Sequence, residues 1–262
     1  VPKTVRGIGV LMAKARGVAA GLPLLRPNGP LLSAFPSLKV DVRVADGFET
    51  TPGAILAGLS GTARELLAAE RTILNFLQRM SGVATATAAF VAAVAGTKAR
   101  IQETRKTCPG WRDLDKYAVA VGGGLNHRRD LSDRVLLKEN HLIFAGLERS
   151  PEAVVRATRA ARDAYPAGMT IETEVETLEQ LDAALDAGAD VVLLDDMSLD
   201  DMREAVRRRD ARKSPALLEA SGGVTLETVR KTAETGVDRI SVGALTHSVK
   251  SLDLSIDLAP AP

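Results

Sequence analysis

The chain has 262 residues, a formal net charge of +1 and only 3% aromatic residues. So balanced a charge excludes nucleic-acid binding driven by whole-molecule electrostatics, and so few rings exclude a base-stacking platform. Cys108 is the sole cysteine, which rules out an internal disulfide framework and a thiolate metal cage. No apolar run approaches the roughly 20 residues that span a bilayer, so the expectation is a soluble, cytoplasmic α/β protein.

In chain order, Val10–Leu24 and Lys39–Leu59 are Gly- and Pro-punctuated apolar segments suited to a modest antiparallel sheet. Thr62-Ala-Arg-Glu65 is a capping box. It opens a helix to about Met80 with Leu66, Leu67, Ile73, Leu74 and Leu77 inward, and Gly82 is expected to separate it from a second helical stretch ending at Gly96. Three strands are expected next, at Ala99–Arg105, at the Gly-rich Val121–Asn126 and at Arg134–Lys138. Ser150-Pro151 then starts a helix with Ser at the N-cap and Pro at its first position.

From Thr170 the alternation becomes regular. Strand Thr170–Val175 precedes a helix capped by Thr177 and stopped by Gly188, and strand Val191–Asp195 is a continuous apolar run ending in acid. A helix from Asp200 to about Arg209 and strand Leu217–Ser221 follow. The next helix, from Thr225, carries Leu226, Val229 and Ala233 inward and stops at Gly236, before strand Arg239–Gly243. Seven strands alternating with helices imply a parallel sheet, and the reading is an incomplete seven-stranded, TIM-like α/β barrel. Residues 1–95 read as a smaller α+β sandwich domain and 96–262 as the barrel, with the extreme C-terminus able to return to the first domain.

The chemistry is expected at the carboxyl ends of these strands, where barrel enzymes assemble their pockets. In order the ends carry Arg105-Lys106, Asn126-His127-Arg128, Lys138, Glu174, Asp195, Ser221-Gly222-Gly223 and Gly243-Ala244. Three cationic ends, two acidic ends and two ends rich in small residues describe a pocket for a multiply anionic ligand, a divalent cation and a phosphate. Plainer readings stand beside each residue. Arg105 and Lys106 also fit a solvated strand end, and Glu174 between Glu172 and Glu176 also fits an alternating exposed edge. His127 fits a packed polar residue, while His141 and His247 fit structural roles better than catalytic ones. Asp195 is preferred to Asp196 because it directly ends the apolar run. Gly122-Gly-Gly124 has no helix behind it and earns no nucleotide-binding reading.

The words at these positions resemble those of the quinolinate phosphoribosyltransferase family. They are Glu70-Arg-Thr-Ile-Leu-Asn-Phe-Leu-Gln-Arg-Met-Ser-Gly82, Thr104-Arg-Lys-Thr-Cys-Pro-Gly110, Lys116-Tyr-Ala, Gly122-Gly-Gly-Leu-Asn-His-Arg128 and Lys138-Glu-Asn-His141. Glu174-Val-Glu, Leu194-Asp-Asp-Met-Ser198, Glu219-Ala-Ser-Gly-Gly-Val224 and Ile240-Ser-Val-Gly-Ala244 follow in the family's order. Any one is weak; the ordered series is specific. One departure is Lys138-Glu139 in place of the more usual Lys-Asp, and the family carries an Asp-x-Thr segment ahead of the point where this sequence starts.

The resemblance implies an N-terminal α/β sandwich and a seven-stranded barrel. It implies transfer of phosphoribose from phosphoribosyl pyrophosphate to quinolinate, giving nicotinate mononucleotide, pyrophosphate and CO2 in de novo NAD biosynthesis. It also implies a homodimer in which Arg71 reaches the partner's quinolinate. By the same carry-over Arg105, His127, Arg128 and Lys138 would hold the two quinolinate carboxylates, and Lys106 and Lys138 the phosphates. Glu174 and Asp195 would hold ribose hydroxyls and Mg2+, and Ser221, Gly222, Gly223, Gly243 and Ala244 would cradle the 5′-phosphate. Lys106, Lys138, Glu174 and Asp195 are the residues expected to act on the reacting atoms. Four other readings stand beside it: a nicotinate phosphoribosyltransferase, a related protein encoded with molybdenum transporters, an aldolase using Lys138 as a Schiff-base lysine, and a non-catalytic metabolite-binding or scaffold protein.

Overall fold

Alternating burial along Arg6–Ala13 marks the first strand of the chain, in a computed structural model that describes residues 1–27 and 29–262. In chain order the elements begin with β1 (Arg6–Ala13), β2 (Gly17–Val18), β3 (Lys39–Val42), β4 (Glu49–Thr50), β5 (Ile55–Thr62) and helix α1 (Ala63–Ala93). Then come β6 (Arg100–Gln102), α2 (Arg112–Val121), β7 (Val135–Leu137), α3 (Glu139–Phe144), α4 (Pro151–Ala164), β8 (Ile171–Val175) and α5 (Leu178–Asp186). The chain closes with β9 (Val191–Asp195), α6 (Leu199–Ala211), β10 (Leu217–Ser221), α7 (Val229–Ala233), β11 (Arg239–Ser241), α8 (Ala244–His247) and β12 (Leu254–Pro260). No helix among the described residues is long and apolar enough to cross a membrane.

Two compact units result. The first gathers Val1–Ala89, Thr107–Gly124 and Leu245–Pro262, and the second Phe90–Lys106 and Leu125–Ala244. Residues 107–124 and the C-terminal strand thus group with the N-terminal region. In the first unit an antiparallel sheet runs β12-β1-β5-β3, with Gly9 opposite Leu258 on one side and Leu59 on the other. Its buried face, including Leu11, Ala13, Leu56 and Leu59, packs with Leu66, Ala69, Ile73, Leu74 and Leu77 of α1. Each such leucine or isoleucine contributes about 1.5–3 kcal/mol by leaving water. Leu67, expected among this set, is instead exposed.

Gly82 does not divide α1, which runs unbroken through it. Its role is steric: a Cβ there would stand 2.4 Å from Lys250 O and 2.9 Å from Ser251 Cα. In an open helix Gly→Ala gains about 1 kcal/mol. Here overpacking against backbone, about 1–3 kcal/mol, should win. Gly82→Ala is therefore expected to lower the melting temperature followed by circular dichroism, and a rise would show that the Lys250 segment yields.

The second unit is built on a parallel sheet in the order β6-β11-β10-β9-β8-β7, six strands among the described residues. The expected seventh strand, Val121–Asn126, is a correction. Val121 ends α2, Gly122 caps it and Gly123 takes φ +87°, leaving one parallel bridge between Leu125 and Gln102 where a strand was anticipated. Three consecutive glycines hold a strand poorly, and Gly122 and Gly124 are needed small because Thr87 lies against both. β9 is apolar and buried along Val191–Leu194, as a central parallel strand requires. Ser150, Thr177 and Ser198 cap α4, α5 and α6 by accepting from Ala153, Gln180 and Asp201 N–H groups. The helix expected from Thr225 starts at Val229, and Leu226 is exposed rather than inward.

Candidate active site

The two-residue period of a strand puts Glu172 and Glu174 on one side of β8, Leu193 and Asp195 on one side of β9, and Glu219 and Ser221 on one side of β10. Side chains from β7 through β11 line a single cavity of about 350 Å³, so the parallel sheet curls around it in the manner of a barrel. Arg105, Lys106, His127, Arg128, Lys138, Glu174, Asp195 and Ser221 all line it, joined by Thr104, Glu219 and Ser241. Of the other sequence candidates, Gly222, Gly223, Gly243 and Ala244 follow the ends of β10 and β11 but do not stand among these lining residues. Arg71 is exposed on α1 in the first unit.

Part of the lining is cationic. Lys138, at the end of β7, pairs with Glu174 through Nζ. Its neighbour His141 turns Nδ1 back to accept from the Lys138 N–H at 2.9 Å, a structural role. Burial, followed by repulsion from Arg105, lowers the Arg128 pKa from its usual value. Arg128 donates from Nη1 to Arg134 O at 3.0 Å. The buried Nε atoms of Arg105 and of Arg128 have no hydrogen-bond partner. Two buried N–H donors left unsatisfied beside a cavity cost free energy until an acceptor arrives.

Glu174 and Asp195 supply the acidic part of the lining. Burial raises the Glu174 pKa, with Lys138 pulling against it, and burial followed by repulsion from Asp196 raises that of Asp195. Carboxylates held above their ordinary range gain from any cation that joins them. Asp196 belongs elsewhere: its Oδ1 lies where a Cβ on Gly222 would be, at 1.9 Å, which is why residue 222 is glycine at φ +97°.

A buried ionic layer accompanies this lining, one that the sequence reading did not single out. Glu172 and Glu219 are fully buried, and His127 Nε2 stands 3.4 Å from Glu172 Oε1 and 3.5 Å from Glu219 Oε1. Glu172 Oε2 pairs with Arg134 at 3.1 Å, and Glu219 Oε1 accepts from Ser241 Oγ at 2.6 Å. Ligand atoms of His127, Glu172 and Glu219 fall within 4.8 Å of one another, but Arg134 and Ser241 already serve the two carboxylates. The arrangement is that of an internal ion cluster. Burial pushes the His127 pKa down, yet hydrogen bonds to Glu172 and Glu219 carry it up to about 9. The Arg128 N–H donating to Nδ1 at 2.7 Å fits the neutral ring instead. Two buried carboxylates outweigh one neutral donor, so the imidazolium prevails below that pH.

A histidine whose folded pKa lies above its unfolded value stabilises fully below the unfolded value, about 6.5, and loses that contribution as pH rises through about 9. Urea midpoints measured from pH 6 to 10 should accordingly fall more steeply for the wild type than for His127→Gln. Parallel slopes would mean that His127 is already neutral.

A cavity lined by several cations and two carboxylates at the strand ends of a barrel defines an enzyme that handles a multiply anionic substrate. Residues 1–81 match the profile of the quinolinate phosphoribosyl transferase N-terminal domain and residues 83–257 that of its C-terminal domain. The chain is 46% identical over 250 residues to nicotinate-nucleotide pyrophosphorylase (carboxylating) of Mycobacterium leprae, covering 95% of this chain and 86% of that one. It is 41% identical to the probable enzyme of that name in Bacillus subtilis, covering 95% and 82%. The crystal structure of NadC from Streptococcus pyogenes superposes with a TM-score of 0.89 at 35% identity, over all of this chain and 89% of that one. The chain belongs to the quinolinate phosphoribosyltransferase family.

Proposed function

We propose that the protein transfers phosphoribose from phosphoribosyl pyrophosphate to the ring nitrogen of quinolinate, releasing pyrophosphate and CO2 and forming nicotinate mononucleotide for de novo NAD biosynthesis. The observation that carries this reading is the pair of unsatisfied, buried guanidinium donors, Arg105 Nε and Arg128 Nε, on the same cavity as the Glu174 and Asp195 carboxylates. A guanidinium fork matches a carboxylate, and a dicarboxylate calls for more than one clamp. Arg105, Arg128 and Lys138 receive the two carboxylates, with His127 contributing its charge from below.

Lys106 and Lys138 meet the pyrophosphate and ribose phosphates. Glu174 and Asp195 hold the ribose hydroxyls and stabilise positive charge growing at ribose C1 as its bond to pyrophosphate lengthens. The clamped quinolinate nitrogen then forms the new bond to C1 from the opposite side, and positioning supplies much of the acceleration. With the nitrogen cationic, the C2–carboxylate bond breaks, CO2 leaves, and the electron pair left on C2 takes a proton. No protein nucleophile is required. Ser221, Gly222, Gly223, Gly243 and Ala244 cradle the 5′-phosphate with backbone N–H groups.

The donor set fits Mg2+: two carboxylates, both raised by burial, at the mouth of a site that would also contain phosphate oxygens. When bound there, the ion supplies neutralising charge to the pyrophosphate leaving group. The cytoplasm, where these substrates would be met, is the proposed location.

Release of labelled CO2 from quinolinate carrying the label in its C2 carboxylate, dependent on both phosphoribosyl pyrophosphate and Mg2+, is the direct test; no release would refute the reading. The site is further proposed to be shared within a homodimer, with Arg71 contributed by the partner subunit. Co-expressing Arg71→Ala and Lys138→Ala chains, each inactive alone, should restore about a quarter of wild-type activity, because half the dimers then hold one complete site. Absence of recovery would place each site within one subunit.

A further inference from the structure

Burying carboxylates is a poor way to stabilise a barrel. An ion cluster in a protein interior is often no more stable than apolar side chains of the same size, because desolvation consumes the Coulombic gain. Glu219 nevertheless lines the cavity, and both it and Glu172 are fully buried, two residues before Ser221 and Glu174 respectively. What they touch explains their use. Glu172 fixes Arg134 by one oxygen and faces His127 with the other. Glu219 faces the same Nε2, and is itself set by Ser241, whose Oγ also accepts from Gln102 Nε2 at 3.1 Å. Glu103 completes the frame by accepting from the His127 backbone N–H at 3.1 Å.

These contacts converge on one side chain. Arg128 follows His127 directly in the chain, and its guanidinium donates to the carbonyl of Arg134. We infer that Glu172 and Glu219 are positioning residues for the proposed reaction: through His127 and Arg134 they aim the Arg128 guanidinium at the substrate's carboxylate. Neither touches the reacting atoms. The inference rests on the reading of the cavity as a quinolinate site, and it predicts an effect on one substrate only. Phosphoribosyl pyrophosphate is bound by Lys106, Lys138, Glu174 and Asp195, which stand outside this frame.

The test is calorimetric and kinetic, on Glu172→Gln and Glu219→Gln. Each substitution keeps side-chain size and removes the charge. Affinity and KM for quinolinate should worsen by about 10- to 100-fold, the loss expected of a hydrogen bond to a charged group. KM for phosphoribosyl pyrophosphate and kcat at saturating quinolinate should move by less than about threefold. A lower melting temperature with both KM values unchanged would reduce the glutamates to a structural role and overturn the inference. Equal losses for both substrates would do the same. Should a glutamine variant fail to fold, Arg134→Lys, which keeps the charge and loses the fork, carries the same prediction. A wild-type protein that binds no quinolinate would instead remove the functional reading, and this inference with it.

Discussion

Lys138→Ala is expected to lower kcat by about a hundred- to a thousandfold with the fold intact, the magnitude seen when one fixed donor to developing charge is removed. The lysine stands where β7 ends and α3 begins, its side chain 43% exposed, so truncation opens no core cavity. Its charge does two jobs. In the proposed mechanism it meets the phosphates, and in the structure it opposes the burial and the nearby Asp195 that raise the Glu174 pKa. Without Lys138 the Glu174 pKa climbs further, and the carboxylate proposed to stabilise a cationic ribose spends more of its time neutral. Steady-state rates with a far-ultraviolet spectrum check both halves; wild-type turnover in the variant would remove Lys138 from the mechanism.

The second large effect is expected at the clamp. Arg105→Ala or Arg128→Ala should reduce kcat/KM for quinolinate by roughly thirtyfold to several thousandfold, the 2–5 kcal/mol lost when one partner of a buried charge pair is deleted. Lysine should rescue either position poorly, being a point charge where a planar fork is needed. Stability should not follow activity. Arg105 repels Arg128, and each has a buried Nε without a partner, so removing either side chain relieves strain in the ligand-free protein. Melting temperatures at or above the wild-type value, with quinolinate binding lost, are the expected combination. A parallel loss of both would make the arginines structural.

Much of this site was legible because strand ends are legible. A buried parallel strand reads as a short apolar run, its last residue is easily found, and a barrel brings those residues together. Lys138, Glu174, Asp195 and Ser221 came from that rule, and the structure places all four on one cavity. The layer below was not legible in the same way. The alternation Glu172-Thr-Glu174-Val-Glu176 looks like a solvated edge, and nothing local tells which acids turn inward. In the fold Glu172 is fully buried while the Glu176 side chain is 44% exposed. The available signal was negative: a strand in a doubly covered sheet has no solvated face, so acids at both 172 and 174 had to face the barrel interior.

The misread glycines share a cause. Local propensity reads Gly82 as a break and Gly122–Gly124 as part of a strand, because it registers backbone freedom and cannot register a neighbour. Gly82 is glycine for the Lys250 carbonyl, and Gly122 and Gly124 for Thr87. Leu67 and Leu226 were placed inward on periodicity that the packing did not use. Arg71, exposed on α1, has no local mark that would single it out; the role proposed for it depends on a second chain.

Separating quinolinate from its decarboxylated analogue tests the central claim most directly. The protein would be incubated with phosphoribosyl pyrophosphate and Mg2+, with quinolinate or nicotinate in parallel, and nicotinate mononucleotide measured by liquid chromatography. Product from quinolinate alone is the predicted result, because a wall with two arginines and Lys138 is built for two carboxylates. Product from nicotinate alone would keep the fold and contradict the clamp.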